Sequence, residues 1–146
     1  MEIRHVTEED ARAIQAWTYE APYHLYNQAP SDDGIDELMT YEGIYDGTEL
    51  IGFFCLGAYA QVPNETYVYD ETRTDIGLGM RPDHTGRGLG RTFFAIVVKE
   101  AKRAGKPLRL TVAAFNLRAI HLYEQFGFRP IASFQKADTE FVVMAD

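Results

Sequence analysis

The chain contains the run RPDHTGRGLGR, Arg81 to Arg91, and its neighbours on both sides dictate how such a run must be folded. Before it, Thr74 to Met80 reads as a strand with two internal glycines, Gly77 and Gly79. Glycine inside a strand marks a bulge or a close approach to the backbone. After it, Gly88 to Ala104 reads as an amphipathic helix, with Leu89, Phe93, Ile96, Val97 and Ala101 on one face. Gly105-Lys106-Pro107 stops that helix, and Leu108 to Ala113 returns as a strand. The order describes a strand-helix-strand crossover in a mixed α/β fold.

The glycine run has a chemistry of its own. Gly86, Gly88 and Gly90 free the backbone to expose amide N–H groups without an obstructing Cβ. They lead into a helix start, where unpaired N–H groups and the helix dipole favour an anion, and Arg87 and Arg91 add positive charge there. A nucleotide P-loop is excluded because Gly90 is followed by Arg91-Thr92 rather than Lys-Ser/Thr. A dinucleotide fingerprint beginning at Gly86 fails at position 91, which is arginine. A purely structural turn is the alternative reading of the spacing.

Elsewhere the elements are shorter. Glu2 to Val6 reads as a strand, and Thr7 as the N-cap of a helix with Asp10 three residues on and Ala11, Ile14 and Trp17 as its apolar stripe. Ser31 to Tyr41 reads as a loop and short helix. Glu42 to Asp46 and Glu49 to Tyr59 read as strands joined at Asp46-Gly47. Gln61 to Arg73 reads as a loop with some strand around Tyr67. Asn116 caps a helix carrying Ala119, Ile120, Tyr123 and Phe126, with Gly127 as its stop. Phe128 to Phe134 and Phe141 to Met144 close the sheet.

With 146 residues and no repeat or linker, the chain is expected to be one domain spanning 1–146. Hydrophobic residues at 46% and charged ones at 25% exclude disordered, collagen-like and coiled-coil chains. A lone cysteine, Cys55, no secretion signal after Met1 and no membrane-length apolar run point to the cytoplasm. The net charge of −8 argues against nucleic acid and anionic membrane as partners. No lysine or arginine occurs from Ala13 through Thr72, where Glu20, Asp32, Asp33, Asp36 and seven further acids lie. From Arg81 to Arg118 nine basic residues face only Asp83 and Glu100. One half suits a cation and the other an anion, unless both are simply solvated faces. His5, His24, His84 and His121 lack metal-ligand spacing, so no metal is expected. No serine stands in a nucleophile elbow, which argues against a hydrolase.

The segment Thr85-Gly86-Arg87-Gly88-Leu89-Gly90 resembles the R/Q-x-x-G-x-G/A pattern of the GNAT N-acetyltransferase family, with Thr85 in place of the long first donor. Downstream, NLRAIHLYEQFGF, Asn116 to Phe128, is similar to a second segment of that family in its asparagine, alanine, tyrosine and Gly-Phe. The likeness covers Thr74 to Phe134 well and the N-terminal half in outline. It implies the single-domain acyl-CoA N-acyltransferase fold: a mixed, mostly antiparallel sheet flanked by helices and splayed at a bulged strand. It also implies direct transfer of an acetyl group from acetyl-CoA to a primary amine. A non-catalytic acyl-CoA sensor is the alternative.

By the same resemblance Leu78, Gly79 and Met80 contact the pantetheine arm through their backbone, and the Met80 N–H polarises the thioester carbonyl. Thr85, Gly86, Arg87, Gly88, Leu89, Gly90 and Arg91 hold the diphosphate, and Asn116 bonds the arm or orients its helix. Tyr123 is the candidate acid for the departing sulfur. Thr111 stands where some relatives carry a glutamate, so Asp75 is the candidate base. The acceptor side falls on Trp17, Tyr19, Glu20, Tyr23 and Tyr26, whose rings and carboxylate suit an ammonium group. The alternative is that those rings are core. A cationic small-molecule or peptide amine is the expected acceptor, and edge strands near the C-terminus offer a surface for a homodimer.

Overall fold

Turn residues divide this chain cleanly, and the elements between them follow. A computed structural model describes residues 1–84 and 88–146; the expectations on Thr85, Gly86 and Arg87 lie outside the described residues. The strands are β1 (Glu2–His5), β2 (Glu42–Asp46), β3 (Glu49–Leu56), β4 (Thr74–Met80), β5 (Leu108–Ala113), β6 (Arg129–Lys136) and β7 (Thr139–Ala145). The helices are α1 (Glu8–Ala16), α2 (Asp32–Leu38), α3 (Leu89–Ala101) and α4 (Leu117–Gln125). The sheet has seven strands in the order β1-β2-β3-β4-β5-β7-β6. β4 runs parallel to β5 across the α3 crossover, while β1–β2, β2–β3, β5–β7 and β6–β7 pair antiparallel. This is the mixed, mostly antiparallel α/β sheet expected from the sequence. Among the described residues no helix is long and apolar enough to cross a membrane.

Two compact units divide the chain, Met1–Cys55 with Leu78–Phe93, and Leu56–Gly77 with Phe94–Asp146. In the first, the Thr7 side chain caps α1 by accepting from the Asp10 N–H at 3.1 Å, and Ser31 caps α2 by accepting from the Gly34 N–H at 3.0 Å. Buried Gln15 ties the two helices: Nε2 donates to the Ser31 carbonyl at 3.1 Å and Oε1 accepts from its N–H at 3.3 Å. Val6, Ala11, Ile14, Ile35, Leu38, Tyr41, Tyr45 and Leu50 form the core beneath. Trp17 follows the end of α1 and is only half-buried against that core.

A bulge sits in β3. Ile44 pairs with Gly52 and Tyr45 with Leu50, so Ile51 is the extra residue. An extra residue shifts the alternation of faces by one, which is how Leu50 and Phe53 both reach the same core. A second register irregularity falls at Ile131 of β6.

In the second unit Phe94 packs on Tyr123, Phe126 and Phe128, with ring centroids 4.8, 5.0 and 5.7 Å away. Asn116 caps α4, its Oδ1 accepting from the Ala119 N–H at 3.2 Å, and Gly127 ends it with φ 91°. Three expectations are corrected. β3 stops at Leu56 rather than Tyr59, because Gly57 at φ 89° turns the chain into a 3-10 turn at Ala58–Ala60. No strand forms around Tyr67, since Asn64 Oδ1 takes the N–H groups of Thr66 and Tyr67 at 3.0 and 2.6 Å. The buried face of α3 is Phe93, Phe94, Val97, Val98 and Ala101; Leu89 and Ile96 are half-buried.

Candidate active site

The end of β4 is held on every side by its own unit. A Cβ on Gly79 would stand 2.5 Å from the Phe53 ring, so only glycine fits under that ring. A Cβ on Gly52 would stand 2.6 Å from the Gly79 carbonyl oxygen, so the β3 backbone also depends on a missing side chain. The Met80 carbonyl accepts from the Tyr19 hydroxyl at 2.6 Å. The next amide, Arg81 N–H, donates to the carbonyl of the bulge residue Ile51 at 2.9 Å. The Arg81 guanidinium grips Asp83 with two bonds of 2.8 Å and reaches Glu49 at 2.9 Å. Leu78, Gly79 and Met80 thus form a rigid, half-buried strand end.

Of the candidate acceptor residues, Tyr19 reaches this strand end and Tyr26 meets Tyr19. Tyr19 is fixed by its N–H, which donates to Asn27 Oδ1 at 2.7 Å, and by the edge of the Tyr26 ring at 6.2 Å. Burial pushes its phenol up to about 12, with Tyr26 adding to the rise, so the hydroxyl keeps its proton at neutral pH. Tyr23 begins a 3-10 turn, Tyr23–Tyr26, whose first N–H donates to the Glu20 carbonyl at 2.7 Å. Glu20 and Tyr26 are exposed, and Tyr23 is half-buried. The Trp17 ring lies 6.0 Å from that of Phe53, which stacks on Tyr41 at 6.0 Å. Of the five residues, Trp17 packs against the core cluster.

The start of α3 departs from the usual helix N-terminus. Gly88 precedes it at φ 78°, with no heavy atom of the described residues within 4 Å of where a Cβ would stand. The first turn holds no acidic residue, and Arg91 stands in it beside Leu89 and Gly90. Helix starts ordinarily attract carboxylates, as Glu8, Glu9 and Asp10 show in α1. A cation in that place, on a backbone left open by glycine, suits an anionic group supplied from outside the helix.

Asp75 lies in the second unit, and its surroundings alter the expectation placed on it. It is 3% exposed and paired with Arg109, itself 1% exposed. Arg109 Nε donates to one carboxylate oxygen at 2.6 Å and an Nη to the other at 2.9 Å, while Gln61 adds a third bond at 3.0 Å. The hydrogen bond to Asp75 raises the Arg109 pKa further, against the cost of burial. Both carboxylate oxygens are thus engaged, one of them twice. Arg109 also reaches the Asp70 carbonyl at 2.8 Å and lies 5.2 Å from the Tyr69 ring centre, which pins the 61–73 segment. Thr111 bonds the Tyr69 hydroxyl at 2.7 Å. Tyr123 is 7% exposed, packed by Phe94 and Phe128, and Asn116 is spent at least in part on its cap.

Arg109, Gly52, Phe53, Ile51 and Asn27 did not stand out in the sequence. An arginine inside the apolar strand LRLTVA carries a signal, because a charge there demands a buried partner. Nothing local marks the others, whose roles arise from contacts across β3, β4 and the 17–27 segment.

A model of the acetyltransferase (GNAT) family matches residues 4–128. The L-amino acid N-acyltransferase MnaT of Escherichia coli (strain K12) is 32% identical over 63 residues, 42% of this chain, and the match spans 37% of that relative's length. Among solved structures, a chimera of Vibrio cholerae spermidine N-acetyltransferase SpeG and hSSAT superposes with a TM-score of 0.74 at 21% identity, covering 99% of this chain and 93% of that one. Ribosomal-protein-alanine N-acetyltransferase from Brucella melitensis gives 0.74 at 19% identity, covering 100% and 99%. The yncA protein of Salmonella typhimurium with its cofactor acetyl-CoA gives 0.69 at 18%, covering 100% and 92%. At these identities the structures establish the fold.

Proposed function

The chain belongs to the acetyltransferase (GNAT) family, and on that premise we propose that it moves the acetyl group of acetyl-CoA directly onto a primary amine of a small molecule or peptide. The observation that carries this reading is the start of α3: a left-handed Gly88, no acid in the first turn and Arg91 within it. That donor set fits a diphosphate. Acetyl-CoA held there supplies an acyl group activated as a thioester.

Gly88, Leu89, Gly90 and Arg91 are assigned to the diphosphate through their N–H groups and the guanidinium charge. The backbone of Leu78, Gly79 and Met80 is assigned to the pantetheine arm, with the Met80 N–H as the donor that stabilises developing negative charge. Asn116 is assigned a bond to the arm through its amide, beside its capping bond. Tyr123 is assigned the proton given to the departing sulfur. Both Asp75 oxygens are taken by Arg109 and Gln61, so the proposal gives Asp75 a positioning role and leaves proton removal from the amine to water.

The acceptor is assigned to Trp17, Tyr19, Glu20, Tyr23 and Tyr26, and a cationic amine suits the exposed Glu20 and the absence of lysine and arginine from Ala13 through Thr72. The names of the relatives, which refer to an amino acid, spermidine and a protein alanine, are all of amines. We assign one acetyltransferase domain to 1–146, a cytoplasmic setting and a homodimer paired through an edge strand. Release of free thiol from acetyl-CoA over a panel of amines tests the reading. Release that depends on the amine, with the matching N-acetyl product by mass spectrometry, is expected. Coenzyme binding without amine-dependent release from any member would point to a sensor instead.

A further inference from the structure

We propose that Tyr19 is a positioning residue for acetyl transfer, its hydroxyl fixing the strand end that carries the Met80 amide. The inference rests on the reading above, in which that amide is the oxyanion donor. The peptide unit joining Met80 to Arg81 is planar, so its atoms turn together. Its carbonyl is held by the Tyr19 hydroxyl at 2.6 Å and its N–H by the Ile51 carbonyl at 2.9 Å. The clamp therefore has one jaw in the segment after α1 and the other in the bulge of β3. On the other side of Met80, Gly79 is confined between the Phe53 ring and the Gly52 backbone. With both flanking units fixed, the direction of the Met80 N–H has little freedom.

Tyr19 is itself built for this task. Its backbone N–H is anchored by Asn27 at 2.7 Å, and its ring meets the edge of Tyr26. A tyrosine has one O–H to give, and here it is given to Met80, so what Tyr19 can offer an acceptor amine is its ring, which Tyr19→Phe keeps. Its phenol, raised by burial to about 12, stays a donor across the working pH range. The sequence placed Tyr19 in an acceptor cage; the geometry ties that same segment to the strand assigned to the coenzyme.

The test compares Tyr19→Phe and Asn27→Ala with the wild type, using the full chain, acetyl-CoA and an amine that the wild type accepts. Tyr19→Phe is expected to lower kcat about tenfold, part of what loss of an oxyanion donor costs. Coenzyme affinity by calorimetry stays within about threefold, because the arm still meets the Leu78–Met80 backbone. The shape of the pH–rate profile is unchanged, since Tyr19 does not titrate there. Asn27→Ala, which keeps the hydroxyl but frees the backbone behind it, gives a smaller fall in kcat and stands alone if Tyr19→Phe does not fold. A kcat within twofold of wild type in both variants, a change confined to the KM of the amine, or a displaced pH limb would each overturn the assignment. A wild type that acetylates no amine overturns the function reading itself, a separate result.

Discussion

Asp75 illustrates how one contact redirects a residue. Asp75→Asn removes half the charge balance of an arginine that is 1% exposed, and breaking a buried pair from one side costs about 3–5 kcal/mol. The expected outcome is a lower melting temperature, with both limbs of the pH–rate profile where they were; a shifted limb would restore Asp75 as the base. Tyr123→Phe is expected to keep acetyl-CoA affinity and lose turnover by at least roughly tenfold, the scale of acid catalysis. Unchanged turnover removes the acid assignment. The two cases differ in legibility. Tyr123 is marked by its place in the Asn116–Phe128 segment, whereas Asp75 and Arg109 stand 34 residues apart, and only the β4–β5 ladder, which sets them opposite each other, reveals the pair.

At the scale of elements, local chemistry was readable wherever it decided the outcome. The Thr7 and Asn116 caps, β4 from Thr74 to Met80 and β5 from Leu108 to Ala113 fall where the residues put them. Misreadings arise where a side chain competes with the backbone pattern. Asn64 takes the amides that a strand at Tyr67 would have used. The α3 stripe is turned because Phe94 and Val98 are drawn into the second unit's core, at 0% and 8% exposure. The β3 bulge left no mark, as Ile51 is one of several consecutive apolar residues and only its partner strand shows that it is extra. Yet this bulge supplies the carbonyl that receives Arg81, so an element defect shapes the proposed site.

For the whole chain, the division of charge was visible before the fold, but its use was not. Of the nine basic residues from Arg81 to Arg118, Arg81 is committed to Glu49 and Asp83, and Arg109 to Asp75 and Asp70. The acids of α2, Asp32, Asp33 and Asp36, are exposed. Much of the asymmetry is thus structural or solvated, and the proposed anion site is the start of α3, whose first turn holds Arg91 and no acidic residue. Calorimetric titration of acetyl-CoA into the wild type and Arg91→Glu examines that place directly. Saturable binding by the wild type is predicted, weakened at least about tenfold in the variant, the worth of one charge-assisted hydrogen bond. No heat of association with the wild type, or equal affinity in a folded Arg91→Glu, would contradict the account.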